Sequence, residues 1–546
     1  MDQLISAYGF NSLYKLSNGS GSSVTIIDAY GTSNVFSLNS FFDQQGIPPL
    51  TNSSITVLYP FGKPLSSNPG WEIETDADIE MVHSLAPGAH IYLVVAPNSS
   101  YNFQSLNWSI FNVDSKIISI SWGTEETGNF SFLNSILKSA FIKGISIIAA
   151  TGDSGAYING SLAVNFPAGS QYVLSVGGTS LSESNGNYIS ETGWNGSGGG
   201  VTQFSPLNFE PSYDGKATIP DVSFNAGTPV CLYNGTANIG VYGTSIAAPA
   251  WAALSALLYS YNTRLPPILP LVFFIYNRFG YNAFHQITQG CNGYYCANGT
   301  YNLVTGIGSP KLPQFFSLAT NASLPLRVIT PNMIVEINGK NYSSPFSIDL
   351  PYYSNVSLKV FPSNISGYEY IPSSLKINGL VYATSTTLLI NTSYNISVQY
   401  ILKYRLLIKN YFPGENLTQY LLPGSYNISI GKYLLYYNDS FHKISELYTP
   451  YNDSLSNADA FYSNSPYLNL TITSPLNVSI YWHSMNISKI NSNMNCVEVN
   501  YDGMQFVLSN DYVFLHSGPL ELKPCISRLG NEIYYFSPFY SNAVSI

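Results

Sequence analysis

Along roughly the first 320 residues, short apolar runs alternate with segments of helical period. Residues 23–28, 90–95, 116–121, 145–150 and 172–176 are mostly continuous in Ile, Val, Leu and Ala. A strand covered on one face alternates, whereas near-continuous apolar runs suit a parallel sheet covered on both faces. Helical patterns fall between them, including residues 132–143 and 247–261. The pattern predicts an α/β domain over residues 1–320, a parallel sheet with helices on both faces and right-handed crossovers. Beyond Leu324 the helical period fades. Alternating segments such as 356–360 and 394–400 follow, divided by turn signals at Asn378-Gly379 and Pro423-Gly424. We expect an all-β sandwich-like module over 325–402 and one or two further β-rich modules over 403–546.

Composition changes the picture in one respect. Charged residues make up 9% of the 546, far below the roughly 25% usual for soluble domains. Tyr, Asn, Ser and Gly replace them, so the surface is polar but largely not ionised. With every carboxylate protonated, only 21 Lys and Arg and 6 His would carry charge, a mild self-repulsion for this length. That suits an acidic medium. Roughly twenty Asn-X-Ser/Thr sequons, such as Asn107 and Asn355, suit a secreted chain. Met1-Asp2-Gln3 has neither the basic start nor the apolar stretch of a signal peptide, so a mature or trimmed form is expected. The spacing allows disulfides Cys291–Cys296 and Cys496–Cys525, leaving Cys231 over. Net charge of −9 gives no reason to expect nucleic acid, and no apolar run is long enough to span a bilayer.

Three segments carry candidate chemistry. In 71–85, Glu74, Asp78, Met81, Val82 and Leu85 share one helical face, while Glu72, Asp76, Glu80 and His83 lie opposite. Solvent and the helix dipole account for the second group. Glu74 and Asp78 continue the apolar stripe, where two like charges must share a proton or find a partner. Asp153 follows a buried run between Gly152 and Gly155, at a carboxyl edge of the sheet where α/β sites form. An Asx turn would use the same residues. Ser245 opens a strongly apolar helix after Gly243-Thr244, where a serine also serves as a plain cap. No histidine lies between Asp153 and Ser245, and only His83 and His90 precede them.

Together these segments resemble the sedolisins, serine-carboxyl peptidases with a subtilisin-like fold. Glu74 to Ala89 follows the family's Glu-x-x-x-Asp-Ile-Glu run leading to Leu-Ala-Pro-Gly-Ala. Ser119-Ile120-Ser121-Trp122-Gly123, Gly152-Asp153-Ser154-Gly155, Ser175 to Thr179, Gly243-Thr244-Ser245 and Thr305 to Pro310 match in order. Subtilisins proper share Gly-Thr-Ser but need a His-Gly-Thr segment that is absent. The resemblance implies Ser245 as nucleophile, Glu74 as general base, Asp78 sharing its proton, and Asp153 in the oxyanion hole. It also implies an acid optimum, since a carboxylate base and a protonated Asp donor both need acid. Ser121, Trp122 and Gly123, with the Gly198-Gly199-Gly200 run, would border the substrate cleft, and Asp28 and Trp122 would extend the carboxyl network. The family's calcium loop carries Asp where this chain has Gln286 and Asn302, so its calcium site is degraded and no cofactor is expected.

These readings converge on a secreted, acid-active endopeptidase acting on protein or peptide substrates. A tripeptidyl exopeptidase of the same family is the near alternative. A catalytically silent surface protein, its β-modules touching glycan or cell envelope, is the alternative of a different class.

Overall fold

The computed structural model describes residues 1–412 apart from 33, 235 and 236. It then describes 415–429, 433–435, 446–455, 458–461, 467–488, 497–501, 504–508, 513–514, 521–523, 525–529 and 532–536. The chain divides into two compact units. The first holds Met1–Leu326 with Ile348–Val356 and Leu388–Ser393, and the second holds the remainder.

The first unit is built on an eight-stranded sheet. Its strands are β1 (Ser23–Ala29), β2 (Ile55–Leu58), β3 (His90–Ala96), β4 (Ile117–Ile120), β5 (Ser146–Ala150), β6 (Val173–Ser184), β7 (Asn187–Gly193) and β8 (Val222–Asn225). The order is β7-β6-β5-β4-β1-β3-β2, with β8 also on β6. Every pairing is parallel except the β6–β7 hairpin. The five apolar runs of the sequence are β1, β3, β4, β5 and the start of β6, and β1 is buried from Val24 onward. The sequence pattern and the sheet agree because a parallel sheet admits no solvent face.

Two helix pairs cover the sheet: α1 (Pro69–Leu85) packs with α4 (Thr244–Tyr261), and α2 (Asn102–Asn112) with α3 (Ser131–Ile142). Ile27, Ile118, Ile120, Ile147 and Ala149 form one core cluster with Leu106 and Ile110 of α2 and Leu137 and Ala140 of α3. Side chains alternate along a strand, so Asp28, next to Ile27, is turned to the opposite face, that of α1 and α4.

Helix α1 departs from its sequence reading. Asp76, Glu80 and His83, assigned to a solvated face, are 4%, 0% and 1% exposed. Their cover comes from segments distant in sequence. Tyr233 N donates to Glu80 Oε2 at 2.9 Å, and His83 Nε2 donates to the Pro48 carbonyl at 2.7 Å. Burial pushes Glu80 up to about 9 and Asp76 up to about 6.

The second unit is strand-rich. Tyr368–Ile377 pairs antiparallel with the long strand Tyr394–Phe412, which pairs in turn with Glu415–Leu421. Asn378 and Gly379, both at positive φ, turn the chain from Tyr368–Ile377 into Leu380–Tyr382, as their sequence signal predicts. Leu406, Ile408, Leu470, Ile472 and Val478 form a core there. Among the described residues no helix is long and apolar enough to cross a membrane.

Candidate active site

The carboxyl ends of β1, β4 and β5 bring Asp28, Ser121 and the Asp153 turn to one edge of the sheet, and α1 and α4 supply the rest. Helix α1 starts where the sequence makes it start. Asn68 caps it by accepting from Gly70 N at 3.1 Å and Trp71 N at 3.3 Å, and Pro69 takes the first position, where no N–H is needed. Glu74 and Asp78 then fall one turn apart on the same face.

Helix α4 begins at Thr244, one residue before Ser245. Its cap Gly243 has φ 140°, and a Cβ there would lie 2.7 Å from Asp153 Oδ2, so glycine is needed on both counts. Thr244, which the sequence marks only as part of the Gly243-Thr244-Ser245 match, donates both its N–H and its hydroxyl to Asp153 Oδ1 at 2.8 Å. The same hydroxyl accepts from Gly152 N at 3.0 Å. The Asp153 turn and the start of α4 are thereby fastened together. Pro249 lies inside the helix and lacks the N–H that would bond the Ser245 carbonyl.

Around Ser245 the acids gather. Glu74 is held above the usual carboxylate range by burial, against the hydrogen-bonding pull of the Ser245 hydroxyl, with Asp28 and Asp153 raising it further. Asp78 is raised by burial, then by Asp28 and Glu74, and its Oδ1 accepts from the Ser121 hydroxyl at 2.7 Å. Asp28 is fully buried and pushed up to about 7, with burial as the main cause. Both Asp28 oxygens, Glu74 Oε1 and Asp78 Oδ2 are enclosed with no partner among protein atoms. The Thr75 hydroxyl acts on Asp28 electrostatically but lies outside hydrogen-bond geometry. Buried carboxyl oxygens without donors favour protonation, and the three groups titrate as a set. Asp153 is also raised by burial, opposed by its two Thr244 bonds.

Of the residues expected to border a cleft, Ser121 spends its hydroxyl on Asp78, and Gly123 is exposed. Trp122 is 9% exposed, its indole N–H donating to the Ile27 carbonyl at 2.6 Å and its ring meeting Phe103 edge-on. It therefore braces β1 beside Asp28 without bonding it.

Cys291 and Cys296 are disulfide-bonded, as their spacing allows, and Cys231 is free and exposed. Cys496 lies outside the described residues. Gln286 Nε2 donates to the Gly299 carbonyl. Asn302 Nδ2 donates to Thr300 O at 2.9 Å and Thr305 Oγ1 at 3.1 Å, while its Oδ1 accepts from Val304 N and Thr305 N at 3.0 Å. Amide donors thus turn to the oxygens that a hard cation would need, and the residues do not fit calcium. Among the described residues no cluster of His, Cys, Asp or Glu could hold a metal.

Residues 66–268 match the subtilase family. The chain is 33% identical over 331 residues to kumamolisin from Bacillus sp. (strain MN-32), covering 54% of this chain and 59% of that protein. It is 28% identical over 279 residues to sedolisin from Pseudomonas sp. (strain 101), covering 43% and 47%. A tripeptidyl-peptidase 1 from Bos taurus is 24% identical over 303 residues, covering 46% and 52%. The chain therefore spans about half the length of these relatives. The solved structure of Pseudomonas sedolisin, a serine-carboxyl proteinase complexed with pseudo-iodotyrostatin, superposes with TM-score 0.53 at 25% identity. That match covers 59% of this chain and 97% of the other.

Proposed function

The chain belongs to the sedolisin family of serine-carboxyl peptidases, with a subtilisin-like fold, and on that premise we propose that it is a secreted, acid-active endopeptidase. Ser245 is the nucleophile, attacking a peptide carbonyl to form an acyl-enzyme. Glu74 takes the hydroxyl proton and returns it to the leaving amine. Asp78 shares the Glu74 proton and holds its orientation. Asp153 donates to the developing oxyanion. Its Oδ1 is already occupied by two Thr244 donors, so the free Oδ2 is the oxygen that carries the proton. Asp28 keeps the carboxyl set short of charge from behind. We read the chain as independent of calcium, with amide bonds and a disulfide bracing residues 286–302.

What supports this reading is that the Ser245 hydroxyl, Asp28 and Asp153 all act on the buried Glu74 carboxyl, while Asp153 is tied to the start of the Ser245 helix by two bonds from Thr244. The test is cleavage of an unfolded protein from about pH 3 to about pH 7, the range over which the buried carboxyl set loses its first proton, by the wild-type chain and by Ser245→Ala. Loss of cleavage in the variant is expected. Equal rates would leave a non-catalytic surface protein as the better reading. Tripeptides as the main product, against internal fragments, would move the assignment to the tripeptidyl branch that the similarity to tripeptidyl-peptidase 1 suggests.

A further inference from the structure

The Asp153 turn is clamped from two sides, and only one clamp is Thr244. On the other side, Ala156 N donates to the Asn292 carbonyl at 2.9 Å. Gly155 approaches so closely, at φ +67°, that a Cβ would lie 2.4 Å from that oxygen. Asn292 is 1% exposed although both flanking cysteines of its disulfide loop are exposed. Its Nδ2 donates to the Ser197 and Leu303 carbonyls at 3.0 Å each, and its Oδ1 accepts from Tyr295 N at 3.0 Å.

The glycine-rich run noted in the sequence fills the space between. Gly155 N donates to the Gly196 carbonyl and Gly198 N to the Gly152 carbonyl, both at 2.9 Å. A Cβ on Gly199 would lie 2.0 Å from the Leu303 carbonyl. From the turn to residues 196–198 the stack is backbone against backbone, and from Ser197 and Leu303 to the loop it runs through the buried Asn292 amide. A shift of loop 291–296 therefore passes directly to residues 153–156.

We propose that Asn292, locked by the Cys291–Cys296 disulfide, is a positioning residue for Asp153. The loop holds the turn at the height where Asp153 Oδ2 meets the oxyanion, a part that the resemblance to the family assigns to no residue here. This rests on the peptidase reading. Three hydrogen bonds and a covalent closure fix the one carbonyl that receives Ala156 N.

The test uses two variants of the full chain, Asn292→Ala and the pair Cys291→Ser with Cys296→Ser. Amide exchange at Gly155 and Ala156 is measured with Ser245→Ala in the background, and kcat and KM are measured without it. The proposal expects faster exchange at both amides and a kcat lower by about ten- to a hundredfold, with KM within about twofold, as displacement of a catalytic group by an ångström produces. A loop that merely stabilised the fold would lower the melting temperature and leave kcat of the folded enzyme intact. Faster exchange with unchanged kcat, or unchanged exchange in both variants, overturns the proposal while the peptidase reading stands. A wild-type chain that cleaves nothing in acid sinks the peptidase reading and the proposal together.

Discussion

Raising the pH should destabilise this protein from the inside. Asp28 is fully buried and Asp221 is 5% exposed, and burial lifts each from 3.8 to about 7. A carboxyl that holds its proton more tightly in the folded chain than in the unfolded one makes unfolding release protons. Its contribution is complete below the unfolded value, near about pH 4, and is lost as pH rises through about 7. A rise of about three units corresponds to about 4 kcal/mol for each group. If relaxation around the ionised groups recovers half of this, the pair still withdraws about 4 kcal/mol, against the roughly 5–15 kcal/mol that holds a typical domain. For a unit of this length that is a fall in Tm of about 6 °C between about pH 4 and about pH 7. Acid brings little loss to offset it. Among the described residues there is a single ion pair, Lys403 with Glu369 at 3.4 Å, so protonating carboxylates dissolves few attractions. The assay is thermal unfolding of Ser245→Ala, which cannot digest itself, from about pH 3 to about pH 8. Asp221→Asn is the control. Its carbonyl can still accept from Ser175 N and Oγ, which reach Asp221 Oδ2 at 2.8 and 2.7 Å, so the slope should flatten with the acid-side Tm kept. A Tm that is constant or rises from pH 4 to 7 would refute the reasoning.

Glu74→Gln keeps the shape but removes the base, and kcat should fall about a thousandfold with the melting curve unchanged. Asp153→Ala should cost about a hundred- to a thousandfold in kcat. Asp153→Asn offers an amide donor that never ionises, so it should retain more activity and move the alkaline limb of the pH profile upward; a limb that stays in place would assign it to another group. Treatment with a chelator should change neither kcat nor Tm, because Gln286 and Asn302 spend their amides on Gly299, Thr300 and Thr305. A loss of several degrees would return a cation to that loop.

The parts of the site legible in the sequence are those whose chemistry conflicts with their place. Glu74 and Asp78 stand out because they sit on an apolar stripe, and Asp153 because it ends a buried strand between glycines. The buried state of Asp76, Glu80 and His83 was not legible, since a helical wheel cannot see cover arriving from Pro48 and Tyr233. The role of Thr244 was not legible, since its partner Asp153 lies 91 residues away. Asn292 was hidden because its backbone carbonyl meets the turn, and a carbonyl carries no residue signature. In the tail, alternation marks strands but not module limits; Tyr394–Phe412 is one strand running through residue 402.

The central claim, that a carboxylate set in place of an imidazole activates Ser245, is tested most directly by the pH dependence of kcat/KM on a peptide whose own groups do not titrate in the range. A bell is expected, its lower limb set by the first proton lost from the Asp28–Glu74–Asp78 set, which burial places above the usual carboxylate range, and its upper limb by ionisation of Asp153 and a second charge on that set. Activity that climbs through neutrality to an alkaline plateau, as an imidazole base gives, would contradict it.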